Sequence, residues 1–383
     1  IDRELFVRCI IGVKYLAKLE KGPKMSQEEM TFLNAVIGLL NGNLIDVDKL
    51  DYTIRDSYVT GYNNLSIDLD RILTGYTLFQ EDGNYRIGYM KGSLSVIENV
   101  IYANDLERRW IQNHPTVQYD NQLVDTLLGR FDAHMREAYE HARKEAKETT
   151  KSENLPGSIA TIFQKQSLSQ AGMPGSQPPL KLLNDADILA YIKNVDTSEA
   201  GRQYFNRAAR LKPLWKTEAA FIPLSKDFGP SLMWDIQTDF NDFLNTLQGR
   251  GEPFINQEAL DYLQDLFRDQ EKTKYQQAVE ICKIFQKFQE DNNLPDFQFL
   301  LAQTKRFHSN YRKVSSATEP VMVELDSGYF PLEEVMSIQA KETAKNMSKD
   351  FFYVYTTQRN IQAQKNLGVK FFDCLRRNYH RAV

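Results

Sequence analysis

The stretch NGNLIDVDKLDYTIRDSYVTGYNN, residues 41–64, decides the reading of this chain. Its apolar and polar positions alternate at helical spacing, and a helix is predicted to begin near Leu44. Residues four and eight apart share a helix face, so Asp48, Tyr52 and Asp56 line up, with Arg55 adjacent and Lys49 at the flank. One face would then offer a carboxylate, a phenol, a second carboxylate and two cations. A phosphate-bearing ligand with a divalent metal needs such a set: a hard oxygen for the metal, cations for phosphate oxygens and hydrogen-bonding groups for a sugar. Spacing alone also fits a solvated helix with weak surface ion pairs.

Before this stretch, Phe6, Ile10, Val13 and Leu16 or Leu19 recur at helical spacing. Met30, Leu33, Val36, Ile37 and Leu40 do the same, with Ser26 as a cap and Asn41-Gly42-Asn43 as a stop. After it, Ile67 to Leu73 suggests a short helix. YTLFQEDGNYRIGYM, residues 76–90, then alternates around Asp82-Gly83 and predicts a β-hairpin. Long helices are predicted over 93–112 and 119–147, the second with Leu123, Leu127, Phe131 and Met135 on one face.

From Glu148 to about Pro179 the composition turns to Ser, Gly, Pro, Lys and Gln, which predicts a loop or boundary. Further helices are predicted over 185–192, 198–211, 257–289, 331–349 and at the end, with short irregular strands and a helix within 215–247. Strands are predicted over 321–325 and 351–357. The expected fold is mainly α: an HD-domain-like helical bundle with a small β-hairpin and an appended α+β C-terminal region. The expected domains are 1–148, a linker at 149–180, and 181–383.

A hydrophobic fraction of 42% and a charged fraction of 26% are those of an ordinary globular protein, and no run approaches the ~18 apolar residues of a membrane span. The first residues carry acids among apolar positions and lack the pattern of a signal peptide. Three cysteines, Cys9, Cys282 and Cys374, lie far apart with no CxxC pair, as expected of free thiols in a reducing cytoplasm. A net charge of -4 gives no global pull toward nucleic acid or membrane, so an anionic ligand needs a local basic cluster.

Residues 41–64 resemble the last HD motif of the deoxynucleoside triphosphate (dNTP) triphosphohydrolases. That family includes the bacterial dGTPases and the vertebrate SAM-and-HD-domain dNTPase, and its pattern is close to NGIDVDKxDYxxRD. Asp46, Val47, Asp48, Lys49, Asp51, Tyr52, Arg55 and Asp56 match, while Asn43 and Leu44 depart from the run before Ile45. The resemblance implies that Asp48 is the closing metal ligand and the catalytic residue. It implies further that Lys49 and Tyr52 touch the triphosphate and that Asp56, with Arg55 close by, reaches the deoxyribose 3'-hydroxyl.

ERRWIQNHPTV, residues 107–117, is similar to a helix-end segment of the family and places Gln112, Asn113 and His114 at substrate-contacting positions. Ile111 stands where the family often has Tyr. YFNRAARLKPLWKTEAAF, residues 204–221, is similar to a bacterial block; its cations would serve an oligomer interface, an effector site or only a solvated surface around Trp215.

In an HD site the metal is held by a His, an adjacent His-Asp pair and a distant Asp. The five histidines here are His114, His134, His141, His308 and His380; all follow Asp48 and none precedes an Asp. The expectation is therefore a metal-dependent dNTP triphosphohydrolase, using Mg, Mn or a similar divalent ion, whose other ligands lie in an N-terminal segment absent from this chain. It would release deoxynucleoside and tripolyphosphate, in a cytoplasmic homo-oligomer that allows a nucleotide effector. The alternatives are an inactive HD-fold nucleotide-binding or regulatory protein and a single-stranded nucleic-acid binder. His134 and His141 form the one other metal-like pair, with flanking charges that suit a solvated surface.

Overall fold

The computed structural model describes residues 2–16, 25–42, 45–61, 67–145, 184–247, 253–266, 273–304, 320–338, 340, 351–357 and 361–379. The fold is mainly α with small β elements, as the periodicities predict. Residues 149–180, the histidines at 308 and 380, and the Tyr62 to Asn64 continuation of the motif lie outside the described residues.

The chain divides into two compact units, Ile1–His114 with Lys305–Asp350, and Pro115–Thr304 with Phe351–Val383. The division falls at His114, upstream of the composition change at 148 that suggested a boundary. Pro115 opens a new helix there, a position where its missing N–H costs nothing. The interleaving of the two units along the chain comes from strand pairing far apart in sequence, which local composition does not register.

The first unit begins with helices α1 (Arg3–Ile11), α2 (Gln27–Leu40) and α3 (Val47–Thr60). Ser26 caps α2 by accepting from the Glu29 amide, as expected from its place before the two glutamates. The apolar stripe of α1 is not a core face: Phe6 and Ile10 are 55% and 61% exposed, and Cys9 is the residue that packs inward, beside Tyr15 and Ile37. Gly12, at φ 69°, ends the helix a turn earlier than the apolar pattern suggests.

A short helix α4 (Leu69–Leu73) leads into strands β1 (Tyr76–Glu81) and β2 (Asn84–Met90), paired antiparallel. Asp82 and Gly83 both have positive φ, 51° and 75°, the signature of a type I′ turn whose twist matches that of the flanking strands. Two late strands, Met322–Leu325 and Gly328–Pro331, complete a four-stranded sheet, the first of them running parallel to β2. Helix α5 (Leu94–Glu107) supplies Val96, Ile97, Val100 and Ile101 to a core shared with Leu50, Ile72 and Val323. It ends in a five-residue π-helical turn, Arg108–Gln112.

The second unit is built on the long helix α6 (Pro115–Glu145), with helices Asp185–Val195, Glu199–Phe205, Glu218–Ser225, Gly229–Leu247, Gln257–Leu266, Thr273–Asp291 and Ile361–Asn378. Asn184 forms a full capping box with Asp187. The stretch 215–247, expected to mix irregular strands with a helix, is mostly helical. A three-stranded sheet runs Lys212–Pro213, Phe352–Thr356, Phe299–Gln303. The Phe299–Gln303 strand, FLLAQ, escaped the sequence reading because it is buried on both faces and shows no alternation. Phe240, Phe285, Phe299, Phe352 and Phe371 fill the core with edge-to-face and tilted ring contacts, and Trp215 Nε1 donates to the Phe352 carbonyl at 2.7 Å. The three cysteines are thiols outside any disulfide; Cys9 and Cys282 are buried and Cys374 is partly exposed.

Candidate functional site

The motif helix α3 is held at its N-terminus by Asp46, 2% exposed. One carboxylate oxygen accepts from the Lys49 amide at 2.6 Å; the other accepts from the Gly42 amide at 2.9 Å and from Lys49 Nζ at 2.5 Å. Lys49 Nζ also donates to the Gly42 carbonyl at 2.6 Å. Gly42 has to be glycine, because a Cβ there would collide with the Gly38 carbonyl oxygen. Asp46 is thus the cap, a role the sequence reading left unassigned. Two of the three protons of the Lys49 ammonium are spent on the protein, which leaves one for a ligand.

Leu50, Thr53 and Ser57 form the buried face of α3 and pack toward α5. On α5 Asn104, Asp105 and Glu107 are 3%, 0% and 1% exposed, an unusual concentration of buried polar side chains. Asn104 and Glu107 form a connected seam with α3. Tyr52 Oη donates to Asn104 Oδ1 at 3.2 Å, and Thr53 Oγ1 donates to the same oxygen at 2.9 Å. Asn104 is fixed in this orientation because its Nδ2 donates to the Val100 carbonyl at 3.2 Å. Thr53 Oγ1 also lies 3.4 Å from Glu107 Oε2, and Glu107 Oε1 accepts from Gln112 Nε2 at 2.9 Å.

Burial, then the Glu107 carboxylate, pushes the Tyr52 phenol up to about 12; Arg108 opposes the rise, and Asp46 and Asp48 add to it. Burial likewise raises Glu107, with Asp56 adding to the effect and Gln112, Thr53 and Arg108 opposing it. The phenolic proton is therefore retained and directed at Asn104. Toward a ligand, Tyr52 can only accept, which suits a hydroxyl and not a phosphate oxygen.

The single face expected from spacing is divided. Tyr52 and Asp56 belong to the seam region and Asp48 acts electrostatically on Tyr52, but Asp48 is exposed and has no partner among the described residues. Lys49 is turned to Asp46. Arg55 pairs with Asp51 at 3.1 Å, both side chains 60% exposed, on the solvent side of α3. Arg108, from the π turn, is the cation whose field reaches both Tyr52 and Glu107. Gln112 joins the seam through Glu107, while His114 is exposed just past the π turn. Glu107, Asn104 and Thr53 were missed in the sequence, where only their later burial separates them from ordinary surface residues. His134 and His141 are exposed on α6.

Among the described residues, no group of three or more His, Cys, Asp or Glu side chains could hold a metal ion. One exposed carboxylate does not bind a divalent ion at useful affinity, so the described residues do not by themselves fit the metal that the resemblance implies. Among them, no helix is long and apolar enough to cross a membrane.

No family model matches the chain. It is 37% identical over 86 residues to the uncharacterized protein MJ1154 of Methanocaldococcus jannaschii, an alignment covering 22% of this chain and 18% of that one. It is 33% identical over 57 residues to the uncharacterized protein MG461 of Mycoplasma genitalium, covering 15% and 13%. Among solved structures, a hypothetical protein from Aquifex aeolicus is similar at 13% identity and a TM-score of 0.46, over 95% of this chain and 64% of that one. A phosphohydrolase from Bacteroides thetaiotaomicron is similar at 14% identity and a TM-score of 0.41, over 85% and 64%. The alignments thus span less than a fifth of the two curated relatives and less than two thirds of either solved structure.

Proposed function

We propose that this chain belongs to a dNTP triphosphohydrolase, which splits a dNTP into deoxynucleoside and tripolyphosphate at an HD metal site completed by residues outside the chain. The observation that carries the proposal is the seam. Two stretches that resemble the family separately, 41–64 and 107–117, are joined through Tyr52, Thr53, Asn104, Glu107 and Gln112. The bound metal would act as Lewis acid; the residues of this chain would bind and orient the nucleotide. The remaining proton of Lys49, with Arg108, offsets phosphate charge. Tyr52 and Asp56 accept from sugar hydroxyls, and Gln112 and His114 stand at the nucleotide's periphery. Asp48 is this chain's contribution to the metal site. Effector binding, homo-oligomerisation and a cytoplasmic setting belong to the same proposal.

The second reading is a nucleotide-binding or regulatory protein without catalysis; it needs no more than the nucleotide-facing side chains, since the described residues hold no group of three metal-ligating side chains. Full-length protein incubated with each dNTP and Mg or Mn, and assayed for tripolyphosphate, separates the two. Tripolyphosphate release that is abolished in Asp48→Ala supports the hydrolase. Release of pyrophosphate or orthophosphate, full activity of Asp48→Ala, or nucleotide binding without turnover rejects it.

A further inference from the structure

Glu107 stands out among the residues to which no role has been given. It is 1% exposed, and the groups it meets are neutral: Gln112 Nε2 donates to it at 2.9 Å, and the Thr53 hydroxyl, whose one proton goes chiefly to Asn104, lies 3.4 Å away. A buried carboxylate held by neutral donors costs folding free energy that a methionine or leucine of similar shape would not. The backbone beside it is also irregular. In an α-helix, residues five apart point about 140° away from each other, so Gln112 would face away from Glu107. The π turn over Arg108–Gln112 widens the helix and brings the two side chains to 2.9 Å. Buried charge and a π turn at one position both cost stability, and both serve one contact.

We infer that Glu107 is the positioning residue of the seam: it clamps Gln112 to the end of α5 and Thr53 to the same carboxylate, and so sets the polar surface the nucleotide meets. This rests on the dNTP triphosphohydrolase proposal. Through Thr53 the clamp reaches Asn104, which accepts from Thr53 and Tyr52 together. A shift of Glu107 therefore moves Gln112 at one end of the site and Tyr52 at the other. The groups facing Glu107 are Tyr52, Thr53 and Asp56 from α3, and Arg108 and Gln112 from the π turn. Glutamine can replace the carboxylate, since its amide oxygen still accepts from Gln112 and its NH2 can donate to Thr53.

The test compares Glu107→Met, Glu107→Gln, Gln112→Met and the Glu107→Met/Gln112→Met double variant in full-length protein, with dNTP hydrolysis and Tm both measured. Glu107→Met and Gln112→Met are each expected to lower kcat/KM about tenfold, the loss of one hydrogen bond to a charged group. The double variant should be no worse than either single one, because both remove the same contact. Glu107→Gln should stay within about twofold of wild type, and the Tm of Glu107→Met should be unchanged or raised. A Glu107→Met variant that loses Tm but keeps its kcat/KM, losses that multiply in the double variant, or a Glu107→Gln as poor as Glu107→Met would each overturn the positioning role. A wild type that hydrolyses none of the four dNTPs overturns the hydrolase and the positioning role together, and the wild-type rate alone tells that failure from the others.

Discussion

Asp46 accepts from the Lys49 amide at 2.6 Å and from the Lys49 ammonium at 2.5 Å, so one buried carboxylate both starts the motif helix and restrains its principal cation. The Gly42 amide is the third donor to the same group. Replacing it should be felt at all three. Asp46→Ala is expected to destabilise the first unit by about 2 kcal/mol, combining a lost cap with a weakened ion pair. Asp46→Asn, which keeps the cap, should lose less. Denaturant unfolding of the two variants measures the difference, and equal losses would separate the cap from the stability of α3.

Asn104 carries the seam on a single oxygen. Asn104→Ala takes the shared acceptor from the hydroxyls of Tyr52 and Thr53, leaving Thr53 only its 3.4 Å contact to Glu107, and a cost of about 2 kcal/mol is expected. Thr53→Val removes one donor and leaves Tyr52 on Asn104, for about 1 kcal/mol. Thermal or denaturant melts of both variants check the ranking; a Thr53→Val loss as large as that of Asn104→Ala contradicts it.

Tyr52 gives a pH dependence whose sign can be worked out. Burial raises its phenol from 10 to about 12, so the folded chain favours the neutral form. Its contribution to stability is fully present below pH 10 and is lost as pH rises toward 12. Alkaline difference absorbance of wild type minus Tyr52→Phe should show one tyrosinate forming near pH 12. A transition at pH 10 would mean that Tyr52 is solvated.

The cations on either side of Tyr52 should differ. Arg55 sits in an exposed pair with Asp51, so Arg55→Ala is expected to leave stability within about 0.5 kcal/mol and to raise KM for dNTP less than twofold. Arg108, whose field reaches Tyr52 and Glu107, should raise KM about fivefold or more when replaced by alanine, roughly the 1 kcal/mol of a modest charge contact. Steady-state kinetics of the two variants decide which cation meets the phosphate.

The hairpin offers a test away from the site. Gly83 has φ 75° in a type I′ turn, and Gly83→Ala should cost about 1 kcal/mol by denaturant unfolding. Asp82→Gly should be neutral or stabilising at that corner.

The sequence by itself determined the features that arise within one turn or one hairpin. The Ser26 cap, the Asp82-Gly83 corner, and α3 with Asp48, Tyr52 and Asp56 in helical order are all local, set by backbone sterics and the pitch of the helix. Only the tertiary structure decided which of those side chains meet others. Spacing gives the angle of Lys49 and Arg55 around α3 but not the neighbours that claim them, Asp46 and Asp51. Nor does spacing reveal that Asn104 and Glu107 are buried, because burial depends on α5 packing against a helix some fifty residues earlier in the chain. The strand Met322–Leu325 joins the hairpin for the same reason: its partner, β2, is distant in sequence, and hydrogen bonding to it is a property of the folded chain.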